Sequence, residues 1–291
     1  MKSLPIEQYL KLFKPETLAN INSYAGIGEW PKNYECVAMD MGGTNFRIGR
    51  VKFDAEGNPS VYDFKKQTMP GAEREITIDE FYDFFEAKKK EYSAEDVALC
   101  FSYEAEIFPD LSAKITHFSK EVKVDGAEGK IIKARIVNDT TAALLGTKGA
   151  NIGLILGTGF NIAFIKDGVI YNSECGRFVG FPVSEIDCGP LSEMQLSGVY
   201  INPLIKNNPE LRSEIIDRAA KIAAAEIYGT AKYAGIEELK IAAEGSVFYN
   251  FDELREKIIF YLNQLGCKYE FLDGRDKTLI GAAVAAYAFN K

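Results

Sequence analysis

Three glycine turns along the chain have residue types that suit phosphate binding. DMGGTNFR (40–47) places an aspartate just before a Gly-Gly pair and a threonine just after it. LGTGFN (156–161) repeats the glycine–threonine combination, and AEGSVF (243–248) contains a third turn. Glycine allows positive φ and a close approach of the backbone, so the N–H groups of such turns can surround phosphate oxygens. A single turn of this kind is weak support, but three in this order predict a phosphate site.

The composition narrows the class of protein. The chain has 291 residues and 47% hydrophobic content, enough for one large domain or two ordinary ones with a buried core. Its 42 acidic and 34 basic residues give a net charge of −8, whereas nucleic-acid modules usually carry a basic stripe. The N-terminus has no apolar signal region and no run approaches membrane-spanning length. We therefore expect a soluble cytoplasmic protein with no nucleic-acid or membrane partner.

The cysteines and the histidine argue against a metal site built from them. The chain has five scattered cysteines, no CxxC pair and one histidine, His117. A structural zinc site needs about four clustered ligands. We expect the cysteines to be small buried apolar residues in a reducing compartment.

Hydrophobic spacing predicts strands and helices that alternate along two halves of the chain. The predicted strands are 35–40, 45–53, 61–68, 96–102, KITHFS (114–119), VKV (122–124), RIVN (135–138), three within 151–172, one beginning at 239, and KYEFLD (268–273). The predicted helices are one or two within 4–24, then 78–92, AEGKIIKA (127–134), 190–205, 210–233, 251–266 and TLIGAAVAAYAF (278–289). Both halves open with strand, glycine turn, strand, which predicts two α/β domains.

Five segments resemble the hexokinases, within the actin-like ATPase superfamily. They are DMGGTNFR, VNDTTAALL, GLILGTGFNIAF, NSECGRF and IAAEGSVFY. In this order they are similar to the phosphate, catalytic, phosphate, sugar and adenosine segments of the eukaryotic-type hexokinases and glucokinases. The agreement runs from about residue 35 to the end, and the Cys-rich zinc motif of the bacterial ROK family is absent. The chain is much shorter than a typical hexokinase unit, so peripheral insertions must be missing.

The resemblance implies a fold and a division of the chain. The implied fold is α/β, with two ribonuclease-H-like (actin-like ATPase) domains and a ligand cleft between them. The implied division is a helical leader at 1–34, a small domain at 35–139 plus 277–291, and a large domain at 140–276.

The resemblance also implies two roles for carboxylates. Asp139 matches the general base that accepts the proton of a sugar hydroxyl during phosphoryl transfer; such a hydroxyl is a poor nucleophile without a base. Asn138-Asp139-Thr140 is also a good helix N-cap sequence, and the two roles are compatible. Asp40 matches the aspartate that holds Mg²⁺, usually through water. Taken alone, Asp40 would be a strand-ending turn residue.

The remaining implied contacts divide between ATP and sugar. The ATP contacts are Asp40, Gly42, Gly43, Thr44, Asn45 and Arg47 in the first turn, Gly157, Thr158 and Gly159 in the second, and Gly245 and Ser246 on the adenosine side. The sugar contacts are Ser102, Ser119, Lys120, Asn138, Asp139, Asn161, Glu174 and Glu193. Arg47 has packing as a second interpretation. Glu193 lies in a segment matching the family's E-x-x-x-x-G-x-Y, but taken alone it would be a solvated helix charge.

The sugar loop departs from the family pattern. FSYEAE (101–106) stands in place of Phe-Ser-Phe-Pro, and FSKEV (118–122) in place of Trp-Thr-Lys-Gly-Phe. The hydroxyls and the cation are kept, whereas the proline, tryptophan and glycine are lost. The expected function is ATP-dependent phosphorylation of a hexose, with glucose at its 6-hydroxyl the first candidate. A kinase for mannose or N-acetylglucosamine and a non-catalytic sugar sensor are the alternatives; the intact Asp139, Asp40 and phosphate turns argue against a sensor.

Overall fold

The computed structural model describes residues 4–118 and 122–290. These residues form two compact units. The first unit comprises residues 4–22 and 149–275, and the second comprises 23–148, apart from 119–121, and 276–290.

The two units are built from the following elements. The helices are α1 (Ile6–Leu12), α2 (Ile78–Glu91), α3 (Asp139–Gly146), α4 (Glu193–Leu196), α5 (Gly198–Asn207), α6 (Arg212–Ala234), α7 (Ser246–Asn250), α8 (Asp252–Gln264) and α9 (Thr278–Phe289), with 3-10 turns at Pro15–Thr17, Cys175–Arg177 and Pro209–Leu211. The strands are β1 (Ile21–Asn22), β2 (Tyr34–Gly42), β3 (Asn45–Phe53), β4 (Pro59–Thr68), β5 (Ile76–Thr77), β6 (Ala98–Phe101), β7 (Glu104–Ile107), β8 (Ala113–His117), β9 (Val124–Asp125), β10 (Ile131–Ile132), β11 (Arg135–Val137), β12 (Ile152–Leu156), β13 (Phe160–Lys166), β14 (Val169–Asn172), β15 (Glu238–Glu244) and β16 (Lys268–Asp273).

The main sheets of the two units share one topology. In the second unit the order is β11-β6-β2-β3-β4, with β2, β3 and β4 antiparallel and β6 and β11 added in parallel. In the first unit the order is β1-β14-β13-β12-β15-β16, with β12, β13 and β14 antiparallel and β15 and β16 added in parallel. An antiparallel meander followed by two parallel strands is thus repeated, and the predicted mixed α/β fold is confirmed.

The N-terminal segment is an integral part of the first unit. Ile6, Tyr9 and Phe13 are buried in the core of that unit. A Cβ placed at Gly229 of α6 would lie 2.5 Å from the Phe13 ring, so the segment packs closely on this helix. The chain then adds β1 to the edge of the sheet beside β14. The helical leader predicted at 1–34 therefore divides at residue 22, because its apolar side chains supply core to one unit while its later residues belong to the other.

The closing helix α9 fixes the other boundary. It packs on α3, β2 and β6 within the second unit. A Cβ at Gly281 would lie 1.8 Å from the Ala142 carbonyl oxygen, so only glycine allows the two helices to approach this closely. Residues 140–148, which the resemblance assigns to the large domain, consequently lie in the second unit.

One predicted helix is wrong. AEGKIIKA (127–134) contains Gly129 with φ of +78°, followed by β10. Ile131 and Ile132 pair antiparallel with β8, and Ile132 is buried. The alternation of exposed and buried side chains is that of a strand, and the pairing partner lies earlier in the chain, where local spacing gives no sign of it.

The helices within residues 4–118 and 122–290 are all too short or too polar to span a membrane.

The cysteines differ in exposure. Cys100, Cys175 and Cys267 are buried, whereas Cys36 is half-buried and Cys188 is exposed. The expectation of buried cysteines is therefore wrong for Cys188, which lies in the irregular segment before α4.

Candidate active site

The first phosphate-type turn joins β2 to β3 in the second unit. Gly43 has φ of +56°, a conformation that favours glycine. A Cβ at Gly42 would lie 2.8 Å from the Ser102 hydroxyl oxygen and 3.4 Å from Asp40 Oδ1. The Tyr103 hydroxyl donates a hydrogen bond of 2.7 Å to the Gly43 carbonyl oxygen. The glycine turn and the predicted sugar loop are therefore in direct contact through Ser102 and Tyr103.

Asp40 lies at the base of this turn and is buried. Its Oδ2 accepts a hydrogen bond of 2.9 Å from the Thr278 hydroxyl and lies 3.6 Å from Arg47 Nη1. Burial raises the pKa of Asp40, while the Arg47 charge and the hydrogen-bonding groups of Thr278 and Cys100 act in the opposite direction. Arg47 is also 3.5 Å from Asp276, so the structure places this predicted ATP contact in a pair of ionic interactions.

Asp40 supplies a carboxylate at the first turn that has the chemistry of a magnesium ligand. Its Oδ1 would lie 3.4 Å from a Cβ at Gly42, so it is next to the backbone of the turn. Mg²⁺ prefers hard oxygen ligands, keeps several waters and is usually held by one or two carboxylates together with substrate phosphates. A single carboxylate at a phosphate-type turn has that character.

Asp139 begins α3 directly after β11. Asn138 is the N-cap residue, and its Oδ1 accepts from the Thr140 backbone N–H at 3.0 Å. Asp139 Oδ1 accepts from the same N–H at 2.7 Å and is 3.2 Å from the Thr140 hydroxyl. The capping position thus belongs to Asn138, and Asp139 is a half-buried first-turn carboxylate beside it. The capping role considered for VNDT therefore falls on Asn138.

A hydrogen-bonded cluster in the first unit contains two of the predicted sugar ligands. Asn161 Nδ2 donates to Asn172 Oδ1 at 2.7 Å and to Glu174 Oε1 at 3.4 Å. Asn172 Nδ2 donates to Glu174 Oε1 at 2.7 Å, and Arg177 Nε lies 3.5 Å from Glu174 Oε2. Glu174 has φ of +55°, and non-glycine residues held in this region cluster at functional sites.

Asn172 is a residue of this cluster that the sequence pattern missed. It is 5% exposed and ends β14, opposite Ala163 of β13. A polar residue closing an apolar strand two positions before Glu174 was the available signal. Its amide group bonds both Asn161 and Glu174, so it fixes the direction in which each of them points.

Glu193, at the start of α4, lies beside the turn that follows Glu174. A Cβ at Gly176 would be 3.2 Å from Glu193 Cβ, and one at Gly159 would be 3.9 Å from Glu193 Oε2. Glu193 is half-buried, not a solvated helix charge. Its carboxylate is therefore near both the second phosphate-type turn and the Glu174 segment.

The second and third glycine turns meet in the first unit at a junction of three glycines. A Cβ at Gly157 would lie 3.2 Å from Gly245 Cα, and one at Gly198 would lie 2.9 Å from the Gly157 carbonyl oxygen. The Gly198 N–H donates to that same oxygen at 2.7 Å. Gly245 has φ of +115°, and a Cβ there would lie 2.2 Å from the Leu156 carbonyl oxygen. Side chains are excluded at this junction, so backbone groups form its surface.

A cavity of about 490 Å³ lies beside this junction, within the first unit. Its lining combines amides, cations and an aromatic ring. The lining residues are Asn202, Ile205, Lys206, Arg212, Ser246, Val247, Asn250 and Phe251. Ser246, predicted to contact adenosine, is thus on the wall of a cavity that could hold a nucleoside.

The other predicted contacts are placed as follows. Thr44 and Asn45 lie in the first turn, where the Thr44 carbonyl oxygen accepts from the Met69 N–H at 2.8 Å and Asn45 begins β3. Thr158 is exposed at the tip of the β12–β13 hairpin. Ser119 and Lys120, predicted to bind sugar, lie outside the described residues.

Comparison with known proteins identifies similar chains. A family model described as hexokinase matches residues 196–288. The chain is 25% identical to hexokinase from Schistosoma mansoni, over 59% of this chain and 50% of that protein, and 28% identical to hexokinase-1 from Rattus norvegicus, over 58% of this chain and 25% of that protein. The chain thus spans half or less of the length of these relatives.

Solved structures share the fold. Hexokinase from Schistosoma mansoni complexed with glucose matches with a TM-score of 0.75 and 17% identity, covering 98% of this chain and 96% of that one. A ROK hexokinase from Thermus thermophilus matches with a TM-score of 0.59 and 17% identity, covering 87% and 98%. At these identities the likeness shows the fold alone.

Proposed function

We propose that the chain is a member of the hexokinase family and a sugar kinase that transfers a phosphoryl group from ATP to a hexose, a proposal supported by the family model that matches residues 196–288 and by the similarity to hexokinases. One observation carries the proposal: within each unit, a phosphate-type glycine turn lies close to a residue predicted to bind sugar. A Cβ at Gly42 would lie 2.8 Å from Ser102 Oγ in the second unit, and a Cβ at Gly159 would lie 3.9 Å from Glu193 Oε2 in the first. Phosphoryl transfer depends mainly on holding donor and acceptor next to each other, so this juxtaposition is what the chemistry requires.

Asp139 is the proposed general base. It accepts the proton of the sugar hydroxyl while the oxygen–phosphorus bond forms and the bond between the γ-phosphorus and the ADP leaving group breaks. Its hydrogen bond from Thr140 and the Asn138 cap beside it hold it at a fixed position. A positioned base is worth about 10²–10⁴-fold in rate.

The polar cluster of the first unit is the proposed recognition site for sugar hydroxyls. Glu174 and Glu193 supply acceptors, and the Asn161 amide supplies both a donor and an acceptor. Asn172 is proposed to orient this set, because it bonds Asn161 and Glu174 at 2.7 Å each. Asn138 and Ser102 are the proposed sugar contacts of the second unit.

ATP contacts are proposed at the glycine turns and the neighbouring cavity. The backbone N–H groups of the two turns would hold phosphate oxygens, and Ser246 and the amides of Asn202 and Asn250 would contact the nucleoside. Asp40 would hold Mg²⁺, which neutralises phosphate charge when bound.

A sugar panel tests the proposal. ADP release is measured with glucose, mannose, fructose, N-acetylglucosamine and N-acetylmannosamine, each with Asp139→Asn as the matched control. We expect glucose to give the highest kcat/KM, since the structurally similar hexokinase from Schistosoma mansoni is complexed with glucose. If another sugar gave a higher kcat/KM than glucose, the proposed kinase activity would stand and the proposed substrate would change. Sugar binding by calorimetry without sugar-dependent ADP release would instead indicate a sensor.

A further inference from the structure

Another cavity of the first unit opens beside Glu174 and has a volume of about 280 Å³. One of its walls is the N-terminal segment, with Thr17, Leu18 and Ala19, and the other is the turn that follows Glu174. Ordinary ligand pockets hold roughly 300–1,000 Å³, so this cavity suits one substituent of a ligand rather than a whole nucleotide.

Both walls of the cavity are held by contacts within the unit. The Phe13 ring packs edge-on against the Phe178 ring, with centroids 5.1 Å apart. The Asn20 side chain donates to the Pro15 carbonyl oxygen at 2.8 Å, and β1 pairs with β14 directly afterwards. On the other wall, the Ser192 N–H donates to the Phe178 carbonyl oxygen at 2.9 Å. The cavity is therefore a preformed feature of the unit.

Glu174 belongs both to this cavity and to the polar cluster proposed to bind sugar. Its Oε1 accepts from Asn172 Nδ2 at 2.7 Å, and its Oε2 lies 3.5 Å from Arg177 Nε. Arg177 also lines the cavity. A sugar bound by Glu174 thus has the cavity directly beside it.

The cavity adjoins Glu174 but not the second glycine turn. A Cβ at Gly159 would lie 3.9 Å from Glu193 Oε2, and a Cβ at Gly176 would lie 3.5 Å from the same oxygen. Glu193 therefore stands between that turn and the Glu174 segment. Of the described residues that line the cavity, none belongs to the turn or to α4. The neighbours thus run from the turn through Glu193 and the Glu174 segment to the cavity.

The covalent structure of a hexose matches this order. In a pyranose ring C2 is directly opposite C5, the carbon that carries the 6-hydroxyl arm. A hexose that presents its 6-hydroxyl for phosphoryl transfer at the glycine turn therefore directs its C2 substituent away from that turn. In the first unit this direction leads past Glu174 to the cavity.

The lining of the cavity has the chemistry of a site for an acylamino group. Such a group has an N–H donor, a carbonyl acceptor and an alkyl tail. The Glu174 carboxylate accepts hydrogen bonds, and the Arg177 guanidinium donates them. More than half of the lining is apolar, which suits an alkyl tail better than a second sugar ring with hydroxyls to satisfy; the apolar residues are Leu18, Ala19, Phe178 and Val179.

We propose that this cavity is a subsite for the N-acyl substituent of a hexosamine, so that the chain phosphorylates N-acylated hexosamines as well as plain hexoses. Glu174 accepts from the amide N–H, Arg177 donates to the acyl carbonyl oxygen, and the alkyl tail packs between Leu18 and Phe178. The proposal rests on the kinase function argued above and extends its substrate class.

The test compares wild type, Ala19→Trp and the control Lys11→Trp, which adds the same ring at an exposed residue outside the cavity. The kcat/KM is measured for glucose, for N-acetylglucosamine and N-acetylmannosamine, which are C2 epimers, and for N-butanoylglucosamine. The better N-acetyl epimer should come within about tenfold of glucose in wild type, because its acylamino group has partners of its own. Ala19→Trp should lower the ratio of this value to that of glucose about tenfold or more, because the added ring occupies the space of the acyl group. Lys11→Trp should leave the ratio unchanged.

A second variant separates hydrogen bonding from space. Arg177→Met keeps a long side chain and loses the guanidinium, so it should lower the same ratio about tenfold, the usual value of a hydrogen bond to a charged group. N-butanoylglucosamine should respond more strongly to Ala19→Trp than the N-acetyl sugars do, since its longer chain extends further into the cavity. If Ala19→Trp fails to fold, Val179→Trp fills the cavity from the other wall.

Two results would overturn the inference. One is discrimination by wild type of more than about a thousandfold against both N-acetyl epimers relative to glucose. The other is a ratio of N-acyl hexosamine to glucose that neither Ala19→Trp nor Val179→Trp changes.

A readout that needs no turnover separates this inference from the kinase proposal. Calorimetry without ATP measures the affinities for glucose and for the N-acetyl hexosamines. If no sugar is phosphorylated but Ala19→Trp weakens N-acetyl hexosamine binding relative to glucose binding, the kinase is refuted and the subsite is upheld. Normal turnover of glucose in a protein that binds no N-acetyl hexosamine would refute the subsite alone.

Discussion

Replacing Glu226 by glutamine should change how the stability of the protein depends on pH. This carboxyl lies on α6 and is 0% exposed. Burial disfavours its charge and raises its pKa from the ordinary 4.5 to about 8 in the folded protein. Between these values the unfolded chain ionises Glu226 while the folded chain keeps the proton. The folded state then binds more protons, so the free energy of unfolding falls as pH rises from about 4.5 to about 8, and it is level outside this window.

The size of the effect follows from the pKa difference. Each pKa unit corresponds to about 1.4 kcal/mol, so the full window corresponds to about 5 kcal/mol. Glutamine does not ionise and keeps a donor and an acceptor. We expect Glu226→Gln to match wild type within about 1 kcal/mol near pH 5 and to become several kcal/mol more stable than wild type by pH 8.

Urea unfolding at half-unit pH intervals from 5 to 8.5 measures this difference. Other groups titrate in the same range, but they do so in both proteins, so the difference between the two curves isolates Glu226. Glu214→Gln is the control, because its exposed carboxylate should change stability by less than about 0.5 kcal/mol at any pH. Parallel pH profiles for wild type and Glu226→Gln would show that Glu226 is ionised inside the fold or is not buried as described, and the reasoning would fail.

Three further predictions concern the proposed kinase. Asp139→Asn should lower kcat by about 10²–10⁴-fold with little loss of hexose affinity in calorimetry, and unchanged turnover would exclude the proposed base. Gly245→Ala should raise the KM for ATP about tenfold or more, because a Cβ there would lie 2.2 Å from the Leu156 carbonyl oxygen. For the same reason it should lower the free energy of unfolding by more than the roughly 1–3 kcal/mol that a strained φ costs. The control is Gly266→Ala, where φ is +70° and a Cβ would have open space, so only the backbone cost is expected; equal effects at the two glycines would contradict the explanation by close approach. A chelator should abolish activity, and added Mg²⁺ should restore it, while the urea midpoint stays constant; a shifted midpoint would indicate a structural metal.

Much of the secondary structure could be predicted because its signals are local. KYEFLD is β16, and TLIGAAVAAYAF is α9 with the predicted bounds. The strand–turn–strand openings of both halves were also predictable, because the alternating apolar residues and the turn glycines lie within a few consecutive residues. AEGKIIKA failed because its strand character comes from pairing with β8, a partner that is not in the local window.

The sequence pattern proposed candidate site residues without their partners. Asp40, Asn161 and Glu174 were chosen because the glycines and polar groups around them follow a spaced pattern. The structure added the partners of these residues: Thr278 on Asp40 and Asn172 between Asn161 and Glu174. Thr278 is far from Asp40 in sequence, so no spacing rule could have linked them.

The sequence by itself determined the class of the protein: the repeated α/β halves, the order of the glycine turns and the carboxylates that follow strands. Only the tertiary structure decided where the N-terminal segment and α3 belong, and which buried groups face one another. Glu226 shows the physical reason. In the sequence it is one acidic residue on an apolar stripe that recurs at three- and four-residue spacing with Ile215 and Ile222. Its charge state depends on burial and on Cys175 and Ser192, which are brought to it from distant segments by the packing of the whole unit.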